Sequence, residues 1–332
     1  MASQTPTAAP AAAAAPERFV GIDVARAKLD VHVEPGVAGG PAERFTLDYG
    51  DDGLAGLTAR LLAVAPTLVV VEATGGHERR LAADLTAAGL AVAVVNPARV
   101  RAFASGTGTL AKNDRLDAAN LAAFGRVVRP RPQAAAPAKA AELGALVARR
   151  RQVVEMAAME ANRLKGPAAA GRARQSVATV KAALDAERKA LEKAIFDLLK
   201  SDDQWDGKLA VLTSAPGVAT TTAAVLLAEL PEIGTLSRRK VASPAGLAPF
   251  DHDSGTLKGR RFIRGGRTSV RVALHMATLT ATRLNPPVRA MYQRLRAAGK
   301  PFRVAMVACA RRLLTILNAM VRNNRHWAPE PA

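Results

Sequence analysis

The sequence predicts an α/β N-terminal half joined to an all-α C-terminal half. Up to about residue 130, short apolar runs of strand length alternate with stretches of helical periodicity; beyond it, apolar residues recur at three/four spacing. A Pro/Ala-rich segment, residues 129–141, separates the two halves. Charge divides at the same place: residues 1–130 hold 13 Lys/Arg and 13 Asp/Glu, so the whole formal net charge of +19 falls in residues 131–332. A chain of 332 residues, 49% apolar but only 4% aromatic, supports two or three domains with close-packed, Ala-rich helices.

Residues 1–17 are Ala/Pro-rich with no basic start and no apolar core, which predicts a disordered arm and no signal peptide. A domain over 18–130 follows. Arg18 to Val24, Leu29 to Glu34 and Glu43 to Asp48 are strand candidates, and Asp51-Asp52-Gly53 opens a helix with Leu54, Leu57, Leu61 and Leu62 on one face. Leu68 to Glu72 is a fully apolar strand ending in an acid, Gly76 to Leu90 a helix, Ala91 to Val95 a strand and Ala98 to Ala104 a short helix. After a Gly/Thr loop, a last helix is predicted over Asp117 to Phe124. A three-strand meander followed by alternating helix and strand is the order of a ribonuclease-H-like fold.

That order brings the first strand, the fourth strand and a late helix together at one end of the sheet, and those elements carry Asp23, Glu72 and the pair Asp114 and Asp117. A carboxylate at the end of an apolar strand is costly to bury unless it is paired or bound to a cation. Residues three apart on a helix lie side by side, about 5–6 Å between Cβ atoms. Each acid alone has a plain use as a cap, a first-turn acid or a strand-end surface residue. As a set they predict divalent-metal chemistry on phosphate.

Gly21-Ile-Asp23, Val71-Glu72-Ala-Thr-Gly75, Val95-Asn-Pro97 and Asn113-Asp114-Arg-Leu-Asp117-Ala118 together resemble the DEDD transposases of the Piv/insertion-element type, whose N-terminal domain is similar to the RuvC Holliday-junction resolvase. The resemblance implies that Asp23, Glu72, Asp114 and Asp117 bind Mg2+ and are catalytic.

Residues 131–205 are predicted to form a linker and a helical coiled-coil arm. Its seam is Val177, Val180, Leu184, Leu191, Ile195 and Leu198, and its tip lies near Lys165 to Gly171. Within the C-terminal domain, 206–328, Leu212 to Ala223 has the form of a helix-hairpin-helix, a phosphate grip or a purely structural hairpin. Ser254-Gly255 follows on a turn, and residues 251–271 hold six basic side chains, Lys258, Arg260, Arg261, Arg264, Arg267 and Arg271, against two acids. Asp-Ser-Gly is an ordinary turn signature, and basic turns bind phosphate without chemistry. The resemblance assigns more: Val241 to Met276 looks like the family's C-terminal transposase domain, with Ser254 at the position of its nucleophilic serine and the six basic residues beside it as nucleic-acid contacts. His252 is the nearest proton carrier and Asp253 has no definite role. The tail, 286–326, is predicted as two amphipathic helices with Val304, Val307, Leu313, Leu314 and Ile316 inward, and Trp327 as a base-stacking ring or a packing cap.

A single cysteine, Cys309, excludes an intrachain disulfide and Cys-based zinc sites, and the five histidines show no ligand spacing. Residues 210–230, broken by Pro216-Gly217, are not expected to span a membrane, and the expected compartment is the cytoplasm. A basic back half points to nucleic acid. The family implies DNA and a structured guide RNA as partners, and a homodimer assembling to a homotetramer on DNA. Two alternatives stay open: a metal-only nuclease or junction resolvase in which water attacks, and a non-catalytic nucleic-acid-binding protein.

Overall fold

A computed structural model describes residues 16–36, 40–109, 114–133, 137–166, 170–251, 253–255, 257–259 and 261–328, without the side chains of 114, 115, 257 and 258. The chain forms two compact units, Met1–Ala136 and Pro137–Ala332.

In the first unit, β1 (Phe19–Val24), β2 (Lys28–Val33) and β3 (Glu43–Asp48) form an antiparallel meander. The chain then alternates through α1 (Asp51–Val64), β4 (Leu68–Glu72), α2 (Glu78–Ala87), β5 (Val92–Val95), α3 (Pro97–Gly106) and α4 (Asp114–Val128). β4 joins β1 in parallel and β5 joins β4, giving the order β3-β2-β1-β4-β5. This is the predicted ribonuclease-H-like topology. Strand alternation divides the core. Val20, Ile22, Val69 and Val71 pack with Leu54, Leu57, Leu61, Leu81 and Leu85 of α1 and α2, while Phe19, Val70 and Val95 pack with Val100, Leu121 and Phe124 of α3 and α4. Leu62, expected on the buried face of α1, is 50% exposed, since one step of about 100° from Leu61 turns it away from the sheet.

α4 begins at Asp114 and runs three residues before and four beyond the predicted helix. The Asn-Pro motif is a helix start: Asn96 Oδ1 accepts from the Ala98 backbone N–H at 2.8 Å, and Pro97 occupies the first helical turn, where its missing N–H costs nothing.

The second unit is helical: α5 (Ala138–Lys165), α6 (Gly171–Lys200), α7 (Asp203–Thr213) and α8 (Thr220–Glu229), then four two-residue strands, β6 (Pro249–Phe250), β7 (Asp253–Ser254), β8 (Leu257–Lys258) and β9 (Phe262–Ile263), and finally α9 (Thr268–Leu284), α10 (Pro286–Ala297) and α11 (Phe302–Asn323). α5 and α6 are antiparallel, with Arg150 bonded to Glu192 and Lys139 Nζ on the Ser201 carbonyl at 3.0 Å. Of the expected seam only Leu191 and Ile195, at its base, are buried; the next covered position is Leu199 and not Leu198, which is half-buried, Leu143 and Val147 belong to the same helical core, and Val180 is 45% exposed. Towards the tip Val177 and Leu184 are half-buried; residues 167–169 lie outside the described residues.

Gly217 (φ +97°) turns the chain between α7 and α8, and a Cβ there would stand 2.7 Å from the backbone nitrogen of Ala281. The hairpin's glycine serves close packing on α9. α11 is long and apolar enough by composition to cross a membrane, at mean hydropathy 1.6, a signal the sequence reading overlooked. Its apolar stripe, Ala305, Met306, Cys309, Leu313, Leu314 and Leu317, is buried in the unit. Val304, expected inward, is 53% exposed because that stripe begins one residue later. Trp327 packs on the same core, its backbone N–H donating to Ser214 Oγ at 2.8 Å, so it is a packing cap.

Candidate functional site

Asp23 is the fifth residue of β1 and Glu72 the last of β4. The parallel register pairs Ile22 with Val71, so the next step sets Asp23 beside Glu72 on adjacent strands, on the sheet face that α3 and α4 cover. Both are half-buried, as is Asp117. α4 runs antiparallel to these strands: Ala118 and Ala122 lie on Gly21, whereas Gly125 lies over Val70 and Phe19. The N-terminal turn of α4, with Asp114 and Asp117, is therefore carried towards the strand ends that bear Asp23 and Glu72. A Cβ on residue 21 would stand 2.0 Å from the Ala118 carbonyl oxygen, so only glycine allows the helix this close. The three elements expected to meet do meet at one end of the sheet.

These donors suit a hard divalent cation. All are carboxylate oxygens, and Mg2+ is commonly held by one or two carboxylates plus waters and substrate phosphate, a need that a pair on neighbouring strands meets. Among the described residues no three of His, Cys, Asp and Glu close into a metal cage by themselves; the Asp114 side chain is outside that set. The loop after Glu72 is braced by a residue that sequence reasoning missed. Glu78, 8% exposed, accepts from the backbone N–H groups of Thr74 (3.0 Å) and Gly76 (2.8 Å). Beside it the Thr74 hydroxyl is buried without a hydrogen-bond partner among the described residues.

In the second unit Ser254 is exposed on β7, which pairs with β8 across Gly255 (φ +55°). Its hydroxyl makes no hydrogen bond among the described residues. The basic cluster around it is divided in use. Arg267 forms two bonds to Glu232 (2.9 and 2.7 Å), and Arg271 donates to the Gly265 and Gly246 carbonyls (2.8 and 3.4 Å), so both stitch the fold. Arg261 pairs with Asp251 at 2.5 Å on the surface. Arg264 lies over the Phe250 ring, 4.9 Å from its centroid, and is exposed. His252 and Arg260 fall outside the described residues, as does the side chain of Lys258. The ribbon β6–β9 holds a second feature with no signal in the sequence: Phe250 pairs with Phe262, and the rings are 37% and 60% exposed.

Residues 20–167, which include all four acids, match a family described as "Transposase" of the DEDD IS110 type, and residues 209–293, which include Ser254 and the arginines, match "Transposase IS116/IS110/IS902 family". The chain carries IS110/IS116/IS902-family transposase domains. Over 155 residues they are 36% identical to a 43.6 kDa insertion element IS110 protein of Streptomyces coelicolor, across 46% of this chain and 37% of that one. The match to the pilin gene-inverting protein of Moraxella bovis is more distant, 26% over 324 residues, but takes in 92% of this chain and 96% of the other. The chain thus spans well under half of the first relative's length and nearly all of the second's. A solved T. thermophilus RuvC in complex with a Holliday junction substrate aligns with 35% of this chain and 99% of its own at 17% identity, with a TM-score of 0.26, too low to bear on the fold.

Proposed function

We propose that these transposase domains cut and rejoin DNA as a site-specific recombinase of an insertion element. The observation that carries this is the placing of Asp23 and Glu72 side by side, under the end of α4 that bears Asp114 and Asp117. Mg2+ held there would polarise a phosphodiester and offset charge that builds on it during attack. The four acids orient that ion and the scissile phosphate. Ser254 supplies the nucleophile. Its Oγ–P bond forms as the bond from phosphorus to a deoxyribose oxygen breaks, and the proton lost by the serine is balanced by the one the leaving oxygen takes up. Attack on the phosphoserine link by a hydroxyl of a second DNA end restores Ser254 and joins the strands. Exposure on a hairpin lets this hydroxyl reach a phosphodiester, and the exposed Arg264, at the foot of the same ribbon, adds positive charge to counter phosphate.

With the acids and the serine in separate domains, the active assembly is a homodimer that forms a homotetramer on DNA. The basic surplus of residues 131–332 fits a second polyanion, a structured guide RNA that chooses targets by pairing. One observation favours a metal-only nuclease instead: no general base is bonded to Ser254 Oγ among the described residues. Trapping decides between them. Incubation with element-end DNA and Mg2+, then denaturation, should leave a DNA–protein adduct that Ser254→Ala abolishes. Cleavage that persists in Ser254→Ala without any adduct would establish water as the attacking group.

A further inference from the structure

On the face of the sheet that α4 covers, a cavity of about 310 Å3 opens between that helix and strands β2 and β3, lined by Asp30, His32, Arg44, Thr46 and Ala118. Asp30, cross-strand from Asp23, is 8% exposed, and its charge is already met: the Lys28 ammonium lies at 2.9 Å and the Thr46 hydroxyl donates to it at 2.6 Å. Arg44, exposed on the edge strand β3, has no carboxylate partner among the described residues. Its one hydrogen bond runs from Nε to Nδ1 of His32, at 3.0 Å. An imidazole that accepts at Nδ1 carries its proton on Nε2, and nothing among the described residues bonds to that Nε2 although His32 is only 6% exposed. Burial first, and the Arg44 charge second, hold the His32 pKa below its usual value, so the ring is neutral at rest. The lining therefore offers guanidinium N–H groups and a ring N–H, with one positive charge left without a carboxylate partner among the described residues.

We infer that Arg44 and His32 form a phosphate subsite, holding a backbone phosphate of the same DNA strand whose scissile phosphate lies at the acids. This rests on the function proposed above. Arg44 stands two strands from Asp23 and two residues along, since Gly21 pairs with His32 and His32 with Arg44. With strands about 4.8 Å apart and a rise of about 3.4 Å per residue, the two Cα atoms are roughly 12 Å apart. That is a reach of roughly two to three nucleotides along a strand. A guanidinium fork recognises a phosphate through paired N–H donors, and Nε2 adds a third.

The test uses the full-length protein carrying 15N-labelled histidine, with His32→Gln to assign the ring signals. It is titrated separately with inorganic phosphate, a thymidine tetranucleotide and the same tetranucleotide with methylphosphonate linkages. The tetranucleotide should move the His32 Nε2 resonance, the uncharged analogue should not, and Arg44→Ala should weaken the response about tenfold while Arg44→Lys recovers part of it. A His32 signal that stays still with the tetranucleotide overturns the inference. So does one that answers to inorganic phosphate alone, because the cavity would then hold a phosphate but not a strand. Asp23→Asn read in parallel by DNA cleavage keeps the two questions apart: lost cleavage with a silent His32 sinks the subsite and leaves the recombinase reading intact.

Discussion

Asp23 and Glu72 stand on the two central strands of a five-stranded sheet, with a helix seated over them at a distance that only a glycine permits. Ser254 stands on a two-residue strand beside an exposed turn. The first arrangement holds charged groups still, which metal chemistry needs, since a ligand displaced by an ångström loses the ion. The second leaves a hydroxyl open to solvent, as the proposed attack on a phosphate requires. The basic residues teach the same contrast. Arg267 and Arg271, which have the look of phosphate ligands in the sequence, spend their donors keeping the base of the ribbon in place, whereas the exposed Arg264 beside them lies over the Phe250 ring.

The contrast is broken most directly at the acids. Asp23→Asn or Glu72→Gln should lower strand cleavage about 10³-fold or more, with DNA affinity at fixed salt little changed, as measured by cleavage and filter binding side by side. Ser254→Ala should remove the covalent adduct while unfolding free energy stays within about 0.5 kcal/mol, because the residue is exposed. Gly21→Ala should do what no change at the serine does: destabilise the N-terminal unit by about 1–3 kcal/mol in chemical denaturation and abolish cleavage with it. Arg267→Ala should cost about 1 kcal/mol of stability, its ion pair with Glu232 being partly solvated, and leave the salt dependence of DNA binding alone; Arg264→Ala should flatten that dependence without touching stability. Cys309, which has no part in either site, reports on burial alone: its thiol is pushed up to about 11. The native state prefers the protonated form, so this contribution to stability is complete below the ordinary thiol value and lost as pH rises from about 9 to about 11. At pH 8 the folded protein should resist iodoacetamide and the unfolded chain should react.

Much of the first unit was legible because β1 and β4 are nearly continuous apolar runs, each with one acid at or next to its C-terminal end. Local spacing does not carry cross-strand register. Asp30 and His32 lie on β2 and Arg44 on β3, and only the pairing of those two strands makes Arg44 their neighbour. Glu78 was hidden for another reason: a helix-start glutamate is common, and its use became visible only in the bonds to Thr74 and Gly76. In the second unit periodicity located the helices but not the depth of each face. Val180 fits the α6 seam yet lies out on the hairpin beyond the core, and α11 has a membrane-like composition because it is central to a domain poor in aromatics.

The contact between Gly21 and the Ala118 carbonyl acts as a ruler. It fixes how far the start of α4 stands from the strand ends before any ion or nucleic acid arrives, so the carboxylates need no ligand to draw them into line. It also couples two positions in heredity: a larger side chain at 21 becomes tolerable only if α4 is lifted, and a lifted α4 carries Asp114 and Asp117 away from Asp23 and Glu72. Under the proposed function, descendants of this chain that stay active should therefore keep residue 21 bare.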